Sequence, residues 1–182
     1  MNEPHRIADN LQLLAQILAE CTEDSLIAEV FSPAISKTQL YLLKTLYSSG
    51  PKSIRDLAGH FGISAPAVSQ SVEKLVSLAL VARKPIASDR RSVRVSILKK
   101  GVDLLEQFES RRLDIHNQVL VEFSLDEQRQ FIELLEKYIH RLVDQSPSLE
   151  IMCLQCDDMS VDECLIRHHN RFCYHSKTIA TP

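Results

Sequence analysis

Apolar residues recur along the start of the chain at the spacing of one helix face. Ile7, Leu11, Leu14, Leu18 and Cys21 fall three or four apart, with Leu13 and Ile17 beside them. That pattern predicts an amphipathic helix over residues 7–30, closed by Pro33, with Cys21 as part of its apolar stripe. Leu40, Leu43 and Leu46 mark a second helix, 37–48, which runs into the breaker Ser48-Ser49-Gly50-Pro51. Two short helices follow. Ser53 is placed to cap the first, which turns Ile54, Leu57, Ala58 and Phe61 toward a core, and Gly62 stands where a left-handed C-terminal cap is favoured. Ser64 caps the second, Pro66 lies in its first turn, and Val68, Val72, Leu75 and Val76 form its expected buried stripe.

The period then changes. Residues 80–84 and the alternating Val93-Arg94-Val95-Ser96-Ile97 read as two strands around a polar loop, 85–92, that holds the adjacent Arg90 and Arg91. This is a β-hairpin with a basic tip. A long helix is expected from about Lys100 to Phe123, with Leu104, Leu105, Phe108, Leu113 and Ile115 among its apolar positions. Ser124 and Glu127 have capping-box spacing and open a last helix through about Val143, carrying Phe131, Leu134, Leu135, Tyr138 and Leu142. The fold class is therefore mainly α with a small β-hairpin wing: a winged helix-turn-helix head on a helical dimerisation region. The division expected is residues 1–145 as one domain, with the head at about 36–100 and dimerisation helices at about 5–31 and 100–144. Residues 146–182 form a separate cysteine-rich tail. The long apolar stripes of the terminal helices exceed what one thin layer buries, which points to a homodimer.

Composition narrows the function classes. Four glycines in 182 residues leave little material for a glycine-rich phosphate loop. No apolar run reaches the ~18–20 residues of a membrane span, and the polar Met1–Asp9 segment lacks the apolar core of an export signal, so a cytoplasmic protein with no membrane contact is expected. No Ser/His/Asp set, H-E-x-x-H motif or phosphate loop suggests an enzyme. The net charge of −3 hides a division: residues 51–101 carry +7 and the remainder −10. A compact basic block in an acidic chain is an electrostatic footprint for a polyanion, or else a solvated face with clustered charge.

Helix, tight turn, helix and basic hairpin is an order that suits duplex DNA, because a major groove admits one α-helix whose leading residues meet the base edges. Gln70 can bond an adenine edge through two atoms, Ser69 bonds more permissively, and Ala67 can touch a thymine methyl. Ser64 and Pro66 stand with them at the helix start, whose free N–H groups and dipole suit phosphate; Ser64 also reads as a plain cap, and Gln70 as a solvated surface residue. Lys74 and Ser53, with Lys52 beside it, are phosphate candidates. Arg90 and Arg91 at the hairpin tip suit a narrow minor groove, and Asp89 makes sense as the carboxylate that holds an arginine in a fixed pose; the alternative is a solvated turn.

The run Leu57-Ala58-Gly59-His60-Phe61-Gly62-Ile63-Ser64-Ala65-Pro66-Ala67-Val68-Ser69-Gln70-Ser71-Val72-Glu73-Lys74-Leu75, then Leu80-Val81 and the wing from Ser88 to Ile97, resembles the MarR family of bacterial transcription regulators. Asp89 and Arg91 match the D-x-R of its wing. The resemblance covers about residues 7–145. It implies a dimer whose first and last helices pair between subunits, with two heads spaced for a pseudo-palindromic double-stranded operator, and a small-molecule effector near the junction of head and dimer region. Leu98 departs from it, standing where the family usually has threonine.

The tail lies outside that resemblance. Cys153-x2-Cys156-x7-Cys164-x8-Cys173 places four of the five cysteines in the last thirty residues, with His168, His169 and His175 nearby as weaker ligand candidates. Four soft thiolates suit an iron–sulfur cluster such as 4Fe-4S, or structural Zn, and free thiols that form disulfides are a third reading. Three functions follow. The leading one is a DNA-binding regulator, expected to repress, whose tail senses redox state, iron or a reactive small molecule. The others are a regulator with a structural zinc tail and a separate inducer, and an iron–sulfur redox protein that uses the winged helix for protein contacts.

Overall fold

A computed structural model of the chain describes residues 2–86 and 89–145. Helix α1 (Glu3–Gln16) runs into eight residues of wider π-type turns (Ile17–Asp24) and on into α2 (Ser25–Val30). Then come α3 (Lys37–Ser49), the two-residue strand β1 (Lys52–Ser53), α4 (Ile54–Phe61), α5 (Ala65–Ser77), β2 (Val81–Ile86), β3 (Asp89–Ile97), α6 (Lys99–Leu120) and α7 (Leu125–Asp144). The expected order of elements is present. Strand β1 and the π-type turns were not expected. β1 is too short to carry an alternation, and it exists because Lys52 and Ser53 pair with Val95 and Arg94. The π-type segment is tied to the start of α3: the Lys37 ammonium donates to the Ala19 carbonyl at 3.0 Å and lies 3.2 Å from Asp24, while Tyr41 donates to Glu23 at 2.7 Å. Wider turns release helix carbonyls from their usual partners, and Lys37 supplies one.

The sheet is antiparallel in the order β1-β3-β2. Both strands of the hairpin extend into the expected loop: Asp89–Ser92 belongs to β3, with Asp89 paired to Ile86 and a register shift between Pro85 and Ile86. One core holds the head together. Leu26, Ile27, Val30 and Phe31 from the end of the first helical rod meet Leu40, Leu43 and Leu46 of α3, Leu57 of α4, Val68, Val72 and Leu75 of α5, Val81 and Val95 of the hairpin, and Leu105 and Phe108 of α6. Val76 departs from the expected stripe and is 40% exposed. The reason is that α5 ends one residue later. Ala79 takes a left-handed conformation (φ 57°), the Leu80 N–H donates to the Leu75 carbonyl and the Ala79 N–H to that of Val76, and Leu80 takes the buried place instead. This is a Schellman closure with alanine where glycine is usual.

Helix α6 begins directly on that closure. Its cap, Leu98, makes no side-chain cap bond, in keeping with the missing threonine; the Leu98 N–H donates to the Leu80 carbonyl at 2.9 Å instead. Gly101 is buried against the same carbonyl, and a Cβ there would overlap it and come within 2.9 Å of Ile97 Cγ1. Further along, Lys44 of α3 pairs with Glu109 of α6 at 2.9 Å, and its ammonium lies 5.4 Å from the Phe108 ring centre. Burial pushes the Glu109 carboxyl up, but the bonds and charges of Lys44 and Arg112 more than offset it and hold the group below the ordinary glutamate range.

Beyond the head the helices bury little. No residue of α1 is buried, and Ile7, Leu13, Leu14, Ile17 and Leu18 stand exposed. Helix α7 likewise buries none of its described residues and exposes Phe131, Ile132, Leu134, Tyr138 and Leu142. The capping box at its start is formed: Ser124 Oγ accepts from the Glu127 N–H at 3.3 Å and Glu127 accepts from the Ser124 N–H at 2.8 Å.

The close approach at Gly101 generates a prediction. Gly101→Ala forces the first turn of α6 off the Leu80 carbonyl and is expected to cost ~1–3 kcal/mol, the usual penalty for overpacking a closed site. Urea denaturation of the two proteins measures it; an unchanged midpoint would mean that α6 shifts freely.

Candidate nucleic-acid interface

The two helices of the head are set by their caps. Ser53 Oγ accepts from the Asp56 N–H at 3.1 Å, and Asp56 accepts from the Ser53 N–H at 3.1 Å, a reciprocal box that starts α4. Hydrogen bonding with Ser53, helped by the charges of Lys52 and Arg94, holds the Asp56 carboxyl below the ordinary aspartate range against the opposing effect of burial. Gly62 closes α4 in the left-handed conformation (φ 61°). Two residues later Ser64 Oγ accepts from the Ala67 N–H at 3.4 Å and starts α5.

The leading end of α5 stands clear of the core. Ser64, Pro66, Ala67, Gln70 and Lys74 are exposed, while Val68, Val72 and Leu75 anchor the opposite face. This is the division that the spacing predicts. The free N–H groups expected at the helix start are fewer than the sequence suggests, because Pro66 has none and that of Ala67 is taken by Ser64. The helix dipole remains, and it favours an anion at this end.

Ser69 is different from its neighbours. It is half-buried, and its hydroxyl accepts from the Arg83 guanidinium at 3.1 Å. Arg83 also donates to the Ser69 carbonyl at 3.4 Å and pairs with Glu73 at 3.5 Å. Arg83 is one of the cations of the basic 51–101 segment, and the sequence by itself assigns it no place at the site. The available signal was strand parity: Arg83 shares the sheet face of the buried Val81, the face against which α5 lies, while its own side chain stays exposed.

Arg55, Lys84 and Arg94 are exposed on the head and extend the basic surface around α5. Lys99, at the hairpin's exit, is ion-paired with Asp103, and this bond and charge raise its pKa above the ordinary lysine value. At the wing tip the structure gives the backbone of Asp89, Arg90 and Arg91 in β3, with Asp89 opposite Ile86; their side chains lie outside the described residues. Cys153, Cys156, Cys164 and Cys173, with the whole tail, also lie outside them.

With this geometry in hand, residues 35–93 match the sequence model of the MarR family. Over 110 residues the chain is 29% identical to an HTH-type transcriptional regulator, YxaD, of Bacillus subtilis (strain 168), a match covering 60% of this chain and 77% of that protein. Among solved structures, YusO from Bacillus subtilis is similar with a TM-score of 0.63 at 21% identity, covering 74% of this chain and 96% of that one. The S. aureus MepR–DNA complex is similar with a TM-score of 0.62 at 21% identity, covering 74% and 98%.

Proposed function

We propose that the chain is a winged helix-turn-helix transcription regulator of the MarR family, whose sequence model matches residues 35–93, and that it acts as a homodimer that reads a pseudo-palindromic DNA duplex, one head per half-site. One observation carries the reading: Ser64, Pro66, Ala67, Gln70 and Lys74 stand exposed together at one end of α5, on the basic segment of an otherwise acidic chain. In this reading Gln70 and Ser69 contact base edges and Ala67 a thymine methyl. Lys74 and Ser53 serve phosphate, and Arg90 and Arg91 enter the minor groove with Asp89 as their anchor. The solved structure of MepR with DNA supports a duplex as ligand for this fold.

Dimerisation in this reading uses the terminal helices. Their exposed leucines and aromatics form faces that water disfavours, and a two-fold axis lets the same faces cover each other. Among the described residues no helix is long and apolar enough to cross a membrane. A cytoplasmic setting keeps the cysteines reduced, and reduced thiols are what a metal needs. Cys153, Cys156, Cys164 and Cys173 then hold an iron–sulfur cluster, with zinc as the alternative. Among the described residues no group of His, Cys, Asp and Glu is arranged to hold a metal. The tail follows α7 within a few residues, so ordering or freeing it biases the spacing of the two heads, and repression responds to redox state, iron or a reactive small molecule.

Three measurements test this reading. Arg91→Ala is expected to weaken binding to a duplex selected by the wild-type protein by ~1–3 kcal/mol, more than Lys99→Ala, whose ammonium already has Asp103. Equal losses at all salt concentrations would argue against an inserted wing.

The dimer is tested on the exposed faces, because a truncation at residue 30 would also remove Leu26, Ile27 and Val30 from the core. Leu13→Glu combined with Leu134→Glu should halve the sedimenting mass while the head stays folded. A persisting dimer would place the interface elsewhere.

For the tail, Cys153→Ser or Cys164→Ser should abolish metal binding, keep the fold, and change duplex affinity or its response to oxidant, within the ~5–150-fold range of ordinary allosteric coupling. A brown protein with absorbance near ~400 nm, purified without oxygen, identifies a cluster, and a colourless zinc protein the alternative. Equal affinities with and without metal would remove the tail as the switch.

A further inference from the structure

The contact between Arg83 and Ser69 constrains what Ser69 can recognise. Arg83 lies on β2 opposite Val95, and its guanidinium reaches across to α5. There it donates to the hydroxyl and the carbonyl of Ser69 and pairs with Glu73, one helical turn further on. Ser69 sits beside Gln70 and one turn from Pro66, both on the exposed leading end of the helix.

A serine hydroxyl has one proton to give and two lone pairs to accept with, whereas a guanidinium only donates. Ser69 therefore meets Arg83 as an acceptor. A cationic donor draws electron density from the oxygen, which weakens it as an acceptor for a second partner and strengthens its own O–H as a donor. Among the described residues the Ser69 hydroxyl donates to no acceptor, so its proton is left for a ligand. Glu73 holds the guanidinium against α5.

We propose that Arg83 is a positioning residue that sets the polarity of Ser69, making this serine a donor toward the major groove and biasing the base it faces against cytosine. The inference rests on the DNA-reading role of α5 proposed above. Guanine, adenine and thymine each present an acceptor in the major groove (N7 and O6, N7, and O4), while cytosine presents the N4 amino group, a donor. A hydroxyl without a fixed polarity would tolerate all four.

The test is selection from a random-sequence duplex library, with wild type, Arg83→Met, Arg83→Lys and Ser69→Ala compared side by side. The wild-type protein should exclude cytosine at one position in each half-site. Arg83→Met should restore cytosine there by roughly fivefold to tenfold, the worth of about one hydrogen bond. It should leave the other positions, the salt dependence of binding and the melting curve unchanged. Arg83→Lys keeps a cationic donor and should keep part of the exclusion, which also guards against a folding defect in the methionine variant. Ser69→Ala should lose the preference at the same position, and adding Arg83→Met to it should change nothing more.

An unchanged base profile in Arg83→Met would overturn the inference. So would a uniform loss across sequences with a salt slope reduced by about one, because that is the signature of a phosphate contact. If the wild-type protein enriches no sequence at all, the DNA-reading role itself fails and the inference falls with it.

Discussion

Three parts of the molecule meet at the backbone of Leu80. Its N–H closes the end of α5, its carbonyl accepts from Leu98 at the exit of the hairpin, and Gly101 brings the first turn of α6 against that same carbonyl. The Lys100 ammonium adds a bond to the neighbouring Leu78 carbonyl at 3.1 Å. A reading helix, a wing and a long connecting helix are thus fastened within one turn of chain. Backbone bonds of this kind are directional and leave little freedom once buried. The end of α5, the base of the wing and the first turn of α6 therefore share one set of backbone contacts.

The second tie between head and long helix is ionic. Lys44 is only 14% exposed on its side chain, and a cation so placed is costly without a partner. Glu109 supplies the charge, Arg112 supports Glu109 at 2.8 Å, and the Phe108 ring lies beneath the ammonium. Because Phe108 is also part of the apolar core, the polar and apolar halves of this joint are built from consecutive residues of one helix. The N-terminal rod is held similarly, by Lys37 and Tyr41 from α3 and by Arg111 of α6 on Glu29 at 3.0 Å. The Lys37 and Tyr41 contacts fall on the π-type turns, and the Arg111 contact on α2.

Charge and most of the exposed apolar surface lie on different elements. The basic excess lies in residues 51–101, around α4, α5 and the hairpin, while most of the exposed large apolar side chains lie on α1, the π-type turns, the far end of α6 and α7, with Tyr47, Ile63, Val76 and Val93 as exceptions on the head. The first arrangement attracts a polyanion over distances of about a Debye length, ~8–10 Å at ordinary salt. The second favours burial against a like surface.

Local chemistry determined much of this from the sequence alone. Ser53, Gly62 and Ser64 place the ends of α4 and α5 because caps depend on side chains within three residues, and the stripe Val68, Val72, Leu75 reports its own buried face. The basic hairpin follows from alternation and charge. The features that escaped are those whose partners are distant in the chain. Val76 fits the apolar period and is exposed, because the Schellman closure hands its place to Leu80. Strand β1 exists through β3, some forty residues away, and the π-type turns through Lys37. Arg83 looks like one more charge of a basic block until the hairpin folds back and lays its guanidinium on Ser69. Periodicity tells which face of an element is buried; only the packed structure decides which side chain from another element meets it.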